Sequence, residues 1–93
     1  MRETTTLYGH QITAGSDDLL AFNETLDQCQ AAAQDMIDDL NEHEPDEPKG
    51  AFAVYRCDIL LPDRETLIRV LNDELSLLEA CVIDKQLVTT IEA

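Results

Sequence analysis

Most of the residues in this chain that could do chemistry are carboxylates. Aspartate and glutamate number 20 among 93 residues, against 6 lysines and arginines, which gives a formal net charge of −14. Residues 3–48 contain twelve of these acids and no lysine or arginine. Acid–base catalysis needs carboxyl groups whose pKa values are shifted by burial or by a close neighbour. Acids spread along an exposed surface lack both conditions, so this set indicates a charged surface and not a catalytic pair.

The cysteines and histidines match no known kind of site. Cys29, Cys57 and Cys81 are odd in number and contain no Cys-x-x-Cys pair, which argues against a disulfide framework and a zinc site. His10 and His43 are far apart, and their spacing to the acids fits neither zinc nor an EF-hand loop. Phosphate-binding and nucleophile motifs are also absent. The sequence therefore predicts no enzyme activity, no catalytic residue, no bound metal and no cofactor.

Composition excludes further classes of function. Binding to a phosphate backbone needs clustered cations, so direct nucleic-acid binding is not expected. No apolar run reaches the length of a transmembrane helix, and the N-terminal residues lack the order of a signal peptide, so we expect a cytoplasmic protein without membrane contact. Ninety-three residues are enough for a single core, which must be aliphatic because aromatic residues make up only 4% of the chain. We expect one small acidic domain over residues 1–93.

The acids lie on the clearest helix of the sequence. Thr25 and Gln28 form a capping box, so a helix should begin near Leu26, and the Pro-rich and Gly-containing segment from Glu44 to Gly50 should end it. Its apolar residues repeat at helical spacing and form one stripe; they are Leu26, Cys29, Ala33, Met36, Ile37 and Leu40. On a helical wheel the acids centre on the opposite side, where they form a carboxylate stripe about 22 Å long.

Strand-forming segments precede and follow this helix. Thr4–Thr13 is predicted to be a first strand, and Leu19–Phe22 is either its antiparallel partner or the first turn of a helix capped by Ser16; the hairpin is the preferred interpretation. Ala51–Leu61 is predicted to be a central or near-central strand.

The last third of the chain predicts a second helix and a closing strand. Asp63 should cap the helix, which either ends at residues 72–74 or continues to about Ala80. In the first case Leu75–Ile83 would be a strand that turns at residues 84 and 85. Gln86–Glu92 closes the domain as a strand in both cases. The expected fold is a two-layer α+β domain of ββαβαβ order, with two helices on one face of a mostly antiparallel sheet.

The carboxylate stripe has a cost in helix stability, because like charges four residues apart repel each other, as in Asp35 with Asp39 and Asp38 with Glu42. One interpretation is that an acidic surface keeps a small protein soluble. The other is that it docks on a basic surface of a protein partner, where electrostatic steering speeds association. The candidate partner-binding residues are Asp27, Asp35, Asp38, Asp39, Glu42, Glu44, Asp46 and Glu47.

The chain resembles small phage-encoded inhibitors of host defence, namely anti-CRISPR proteins and DNA-mimicking inhibitors, in its size, its acidity and its element order. These eight acidic residues carry the resemblance. The resemblance implies a non-catalytic protein in the host cytosol that blocks the DNA-recognition groove of a CRISPR surveillance complex or another basic nucleic-acid-binding protein. The alternative is an acidic interaction module, such as an antitoxin or an accessory subunit with a basic partner. Both are compatible with a monomer or a small homo-oligomer.

Overall fold

The computed structural model describes residues 3–46 and 50–93, which form an antiparallel sheet with helices packed against it. The α+β class expected from the sequence is confirmed. The elements, in chain order, are β1 (Thr4–Thr13), β2 (Ser16–Asn23), α1 (Leu26–His43), β3 (Ala51–Leu60), α2 (Arg64–Leu71), α3 (Leu77–Cys81) and β4 (Val82–Glu92).

The first two strands form the hairpin that the sequence favoured over a helical turn. Gly15 lies at the turn with a φ of 78°, a conformation that glycine adopts without strain. From there β1 and β2 pair antiparallel, with Tyr8 opposite Asn23 at the far end of the ladder. The sheet order is β2-β1-β3-β4, so β3 is an inner strand, as predicted.

Helix α1 agrees with the sequence prediction at both ends. The Thr25 hydroxyl accepts a hydrogen bond from the Gln28 amide at 3.2 Å, and the Glu44 amide donates to the Leu40 carbonyl at 2.8 Å. The prolines that follow prevent the helix from continuing. The helix therefore presents its apolar stripe to the sheet in the expected register.

The chain after β3 differs from both expected arrangements. Asp63 caps α2 as predicted, accepting from the Thr66 amide at 2.8 Å, and α2 ends at Leu71 with Asn72 as its C-cap, in agreement with the alternative in which residues 72–74 end the helix. Asp73 has a φ of 59°, in the left-handed region, which is incompatible with a continuous helix to Ala80. The segment predicted as either strand or helix instead contains the short helix α3, and β4 begins at Val82, four residues before the predicted start. The Ser76 hydroxyl, which caps α3, is the local reason for the restart.

The two faces of the sheet are covered by different helices. His10 on β1 is paired with Val54 on β3, and both are buried together with Phe52. The apolar stripe of α1, which includes Ile37, packs over this face. The alternate face carries Leu7, Phe22 and Ile59, which line an apolar cavity of about 140 Å³ together with side chains of α3. The structure therefore does not keep the expected arrangement of two helices on one face, because α3, a helix not foreseen from the sequence, lies against the face opposite to α1.

Candidate functional site

Helix α1 presents the acidic residues of the candidate site to solvent. Its buried residues are Cys29 (0% exposed), Ala33 (0%) and Ile37 (1%), which lie on one side because they are four residues apart. Five of the eight predicted partner-binding residues lie on the helix, and all five are exposed; they are Asp27, Asp35, Asp38, Asp39 and Glu42. At 1.5 Å per residue, the span from Asp27 to Glu42 is about 22 Å. We call these five residues the acidic face of α1.

Two local contacts order part of this acidic face. The Gln34 amide donates to Asp38 Oδ1 at 2.8 Å, one turn away. The His43 Nδ1 atom lies 3.4 Å from Asp39 Oδ1 and 2.9 Å from the Asp39 carbonyl oxygen, and both side chains are more than two-thirds exposed. Neither contact brings a permanent positive charge to the helix, because α1 contains no lysine or arginine. The acidic face is thus a run of carboxylates on a helix that has no lysine or arginine.

The three remaining predicted residues follow the helix. Glu44 is the C-cap residue of α1, and Asp46 is exposed in the turn beyond it. Glu47 lies outside the described residues. The structure therefore places seven of the eight predicted residues on or just after one helix.

A second polar cluster, which was not predicted from the sequence, surrounds Asp17 on β2. Asp17 Oδ1 accepts from Gln11 Nε2 at 2.7 Å and from the Tyr55 hydroxyl at 2.8 Å, while Asp17 Oδ2 accepts from Lys85 Nζ at 2.6 Å. The Lys85 ammonium also lies 4.6 Å from the centre of the Tyr55 ring, within cation–π range. We call these four side chains the Asp17 cluster.

The donors of this cluster stabilise the ionised form of Asp17. The hydrogen bonds from Lys85, Gln11 and Tyr55 lower the pKa of Asp17 from 3.8 to about 2. Conversely, the hydrogen bond to Asp17 raises the pKa of Lys85 and of Tyr55. A carboxylate with so low a pKa is a weak base, and both of its oxygens already accept hydrogen bonds. The Asp17 cluster therefore serves to join the strands and is unsuited to general base catalysis.

The cluster was missed because its members come from four different strands. Gln11 lies on β1, Asp17 on β2, Tyr55 on β3 and Lys85 on β4. The weak signal in the sequence was Lys85 itself, which is one of only two lysines in the chain. Their proximity depends on the sheet order, which a single sequence does not reveal.

A shallow cavity of about 280 Å³ lies beside the Asp17 cluster, with Asp17 and Lys85 on one side and Leu20, Leu78, Glu79 and Val82 completing its wall. Lys85, the one cation among the described residues of that wall, is already held by Asp17. In residues 3–46 and 50–93, no three His, Cys, Asp or Glu side chains are grouped so as to hold a metal ion.

The thiols are buried and lack the surroundings of a reactive cysteine. Cys29 and Cys57, which the sequence placed on buried faces, are both fully buried, and Cys81 is 3% exposed. Burial raises the pKa of the Cys29 and Cys57 thiols, so the reactive thiolate is scarce at neutral pH.

Comparison with known proteins identifies no relative of this chain. No family model matches the chain, and neither a curated protein nor a solved structure does. In the described part of the chain, no helix is both long enough and apolar enough to cross a membrane. The functional argument therefore depends on the geometry and charge of the chain itself.

Proposed function

We propose that this protein is a non-catalytic inhibitor that binds the basic DNA-recognition groove of a host defence complex through the acidic face of α1. The candidate targets are CRISPR surveillance complexes and other DNA-binding defence enzymes. The inhibitor would exclude DNA by occupying its site, without a cofactor and without a chemical step.

The observation that carries the proposal is the separation of charge on α1. All five of its acidic residues are exposed, its buried side is apolar, and it contains no lysine or arginine. Like charges on one helix lower its stability, so a helix shaped only by folding would intersperse basic residues. A basic groove would offset this repulsion in the complex and would attract the inhibitor from a distance.

The acidic face of α1 can reproduce only part of the charge of DNA. Duplex DNA carries about one negative charge per 1.7 Å, or about 13 over 22 Å, whereas α1 presents five carboxylates over that length. Glu44 and Asp46 extend the acidic surface beyond the helix. Shape complementarity and apolar contacts must supply the remaining affinity, which also makes the inhibitor selective among basic partners.

The test is competition with DNA for purified target complexes. A set of CRISPR surveillance complexes and DNA-binding defence enzymes is incubated with a fluorescent target duplex and increasing amounts of the protein, and bound DNA is measured by anisotropy. We expect stoichiometric inhibition that excess duplex relieves. It should weaken as salt rises from roughly 0.05 to 0.5 M, because the Debye length shrinks.

Charge reversal on α1 locates the binding surface. Asp38→Lys with Glu42→Lys should weaken inhibition at least tenfold, since it reverses two charges in the acidic face. The control, Glu3→Lys with Glu92→Lys, changes the net charge equally at exposed positions outside α1 and should inhibit almost normally. Equal loss in both variants would attribute inhibition to net charge alone. Inhibition at substoichiometric amounts, or a complex that retains DNA at full affinity, would contradict the proposal.

A further inference from the structure

The apolar cavity of about 140 Å³ lies between α3 and the sheet. The described residues of its wall are all apolar: they come from β1, β2 and β3 on the sheet side, from α3 on the other side, and from Val82 at the start of β4. A dry cavity of about 150 Å³ with such a lining holds a molecule of the size of benzene. The apolar cavity therefore has room for a short alkyl chain or one aromatic ring.

The wall of this cavity on the sheet side depends on a close contact between Phe22 and Gly9. A Cβ atom at Gly9 would lie 3.0 Å from Phe22 Cε1 and 3.2 Å from Phe22 Cδ1, which is closer than side chains pack. The Phe22 ring therefore rests on the backbone of β1, and any larger residue at position 9 would push it away from the strand. Glycine at this position leaves the space above the ring open.

The shallow cavity of about 280 Å³ beside the Asp17 cluster adjoins the apolar cavity, because Leu78 and Val82 line both. Three charged side chains lie in its wall, and two of them, Asp17 and Lys85, form an ion pair at 2.6 Å. The third, Glu79, has no ion-pair partner among the described residues. The uncompensated charge beside the apolar cavity is therefore negative.

We propose that the two adjoining cavities bind a small amphipathic amine, with its alkyl or aryl group in the apolar cavity and its ammonium group beside Glu79. Burial of the apolar group supplies most of the affinity, and the ammonium group supplies the positive charge that Glu79 lacks. An anionic head group would be repelled by Glu79 and by the net charge of −14. Lys85, the one cation among the described residues of these walls, is already paired with Asp17. The site shares no residue with the acidic face of α1, so it does not depend on the proposed function.

The test uses probes that separate the apolar chain from the charge: hexylamine, 1-hexanol, hexanoate and methylamine. Each is titrated into the full nitrogen-15-labelled chain, and binding is followed by the NMR shifts of the backbone amides. Hexylamine should shift the amides of Leu78, Cys81 and Val82 with a dissociation constant of roughly 1 mM or below, as the small size of the ligand allows. It should bind about two- to fivefold more tightly than 1-hexanol, which is the effect of one exposed ion pair. Hexanoate should bind more weakly than 1-hexanol, and methylamine should leave these amides unshifted.

Two matched variants test the role of Glu79. Glu79→Gln should lower the affinity for hexylamine to that for 1-hexanol, and it should leave the affinity for 1-hexanol unchanged. The control Glu92→Gln removes one exposed carboxylate at the opposite end of β4 from Val82, and it should leave both affinities unchanged. Both positions are exposed, so both variants should fold.

A filled cavity tests the location of the apolar group. Cys81→Met enlarges a buried side chain in the wall of the apolar cavity and should weaken hexylamine and 1-hexanol at least tenfold. If this variant does not fold, the map of shifted amides in the unaltered chain decides the same point.

Four results would overturn the proposal. They are the absence of shifts with both hexylamine and 1-hexanol, equal affinity for hexylamine and 1-hexanol, hexanoate binding as tight as that of hexylamine, and shifts centred on α1. Shifts on α1 that methylamine reproduces would identify hexylamine as a counterion of the acidic face of α1.

Discussion

The Asp17 cluster allows a quantitative test of how β2 and β4, the two edges of the sheet, are joined. Asp17 on β2 and Lys85 on β4 form an ion pair with a 2.6 Å separation, although β1 and β3 lie between their strands. The perturbation is a double-mutant cycle with Asp17→Asn and Lys85→Met, which removes each charge alone and then both.

The size of the coupling free energy between Asp17 and Lys85 follows from the pKa of Asp17 and from the solvent exposure of the two side chains. The fall in that pKa from 3.8 to about 2 would correspond to about 2.4 kcal/mol in total, if every donor acted without solvent screening. The side chains of Lys85 and Asp17 are 33% and 41% exposed, however, and two other groups share the stabilisation. We therefore expect a coupling of about 0.5–1 kcal/mol between Asp17 and Lys85 at pH 7.

The coupling must also depend on pH with a definite sign. The pKa of Asp17 is lower in the folded protein than in the unfolded chain, so its contribution is complete above the unfolded value of 3.8. It should decline as the pH falls from about 4 to about 2, because the carboxylate becomes protonated. The assay is urea unfolding of all four proteins at pH 7, 4 and 2.5, at one constant ionic strength.

The matched control is Arg69 with Glu74, a pair 3.7 Å apart in which the side chains are 52% and 58% exposed. Its coupling should be close to zero, since both groups remain largely hydrated. Three results would refute the reasoning about Asp17: no coupling at pH 7, a coupling that increases as the pH falls below 4, or equal coupling in the control pair.

Two further predictions concern buried residues of α1 and of the sheet. Cys29 and Cys57 should react with a thiol reagent only after unfolding, because both are fully buried; rapid labelling of Cys29 in the native protein would show that the helix register is wrong. Ile37→Ala should lower the free energy of unfolding by about 2–5 kcal/mol because it leaves a cavity beneath α1, whereas Gln34→Ala, at an exposed position of the same helix, should cost less than about 0.5 kcal/mol. Urea denaturation measures the free energy of unfolding of both variants. Similar losses in Ile37→Ala and Gln34→Ala would mean that α1 is not packed as described.

The candidate site could be predicted from the sequence because it lies on one helix. The capping hydroxyl of Thr25 fixes where α1 begins, the prolines after Glu44 fix where it ends, and the 3.6-residue period then determines which side each residue occupies. Nothing distant in the chain is needed for that inference. The exposure of the acidic face of α1 followed from local rules alone.

The region from α2 to β4 could not be predicted in the same way. Leu67, Leu71, Leu75 and Leu78 repeat at helical spacing, which suggested a continuous helix as one alternative. The repeat did not reveal that Asp73 adopts a left-handed conformation or that Ser76 begins a new helix. Periodicity indicates on which side of a helix the apolar residues would lie, but it does not indicate whether the backbone between them stays helical.

What the sequence determined by itself is therefore the class of fold, the bounds and register of α1, the hairpin, and the concentration of acids between residues 3 and 48. These features depend on neighbours a few residues apart. Tertiary structure decided the strand order, the Asp17 cluster and the coverage of the two sheet faces by different helices. It also decided that Leu67, Ile68 and Leu71 of α2 are exposed. Those features join residues as much as 68 positions apart, as Asp17 and Lys85 are, and long-range pairing is set by the free energy of the whole core.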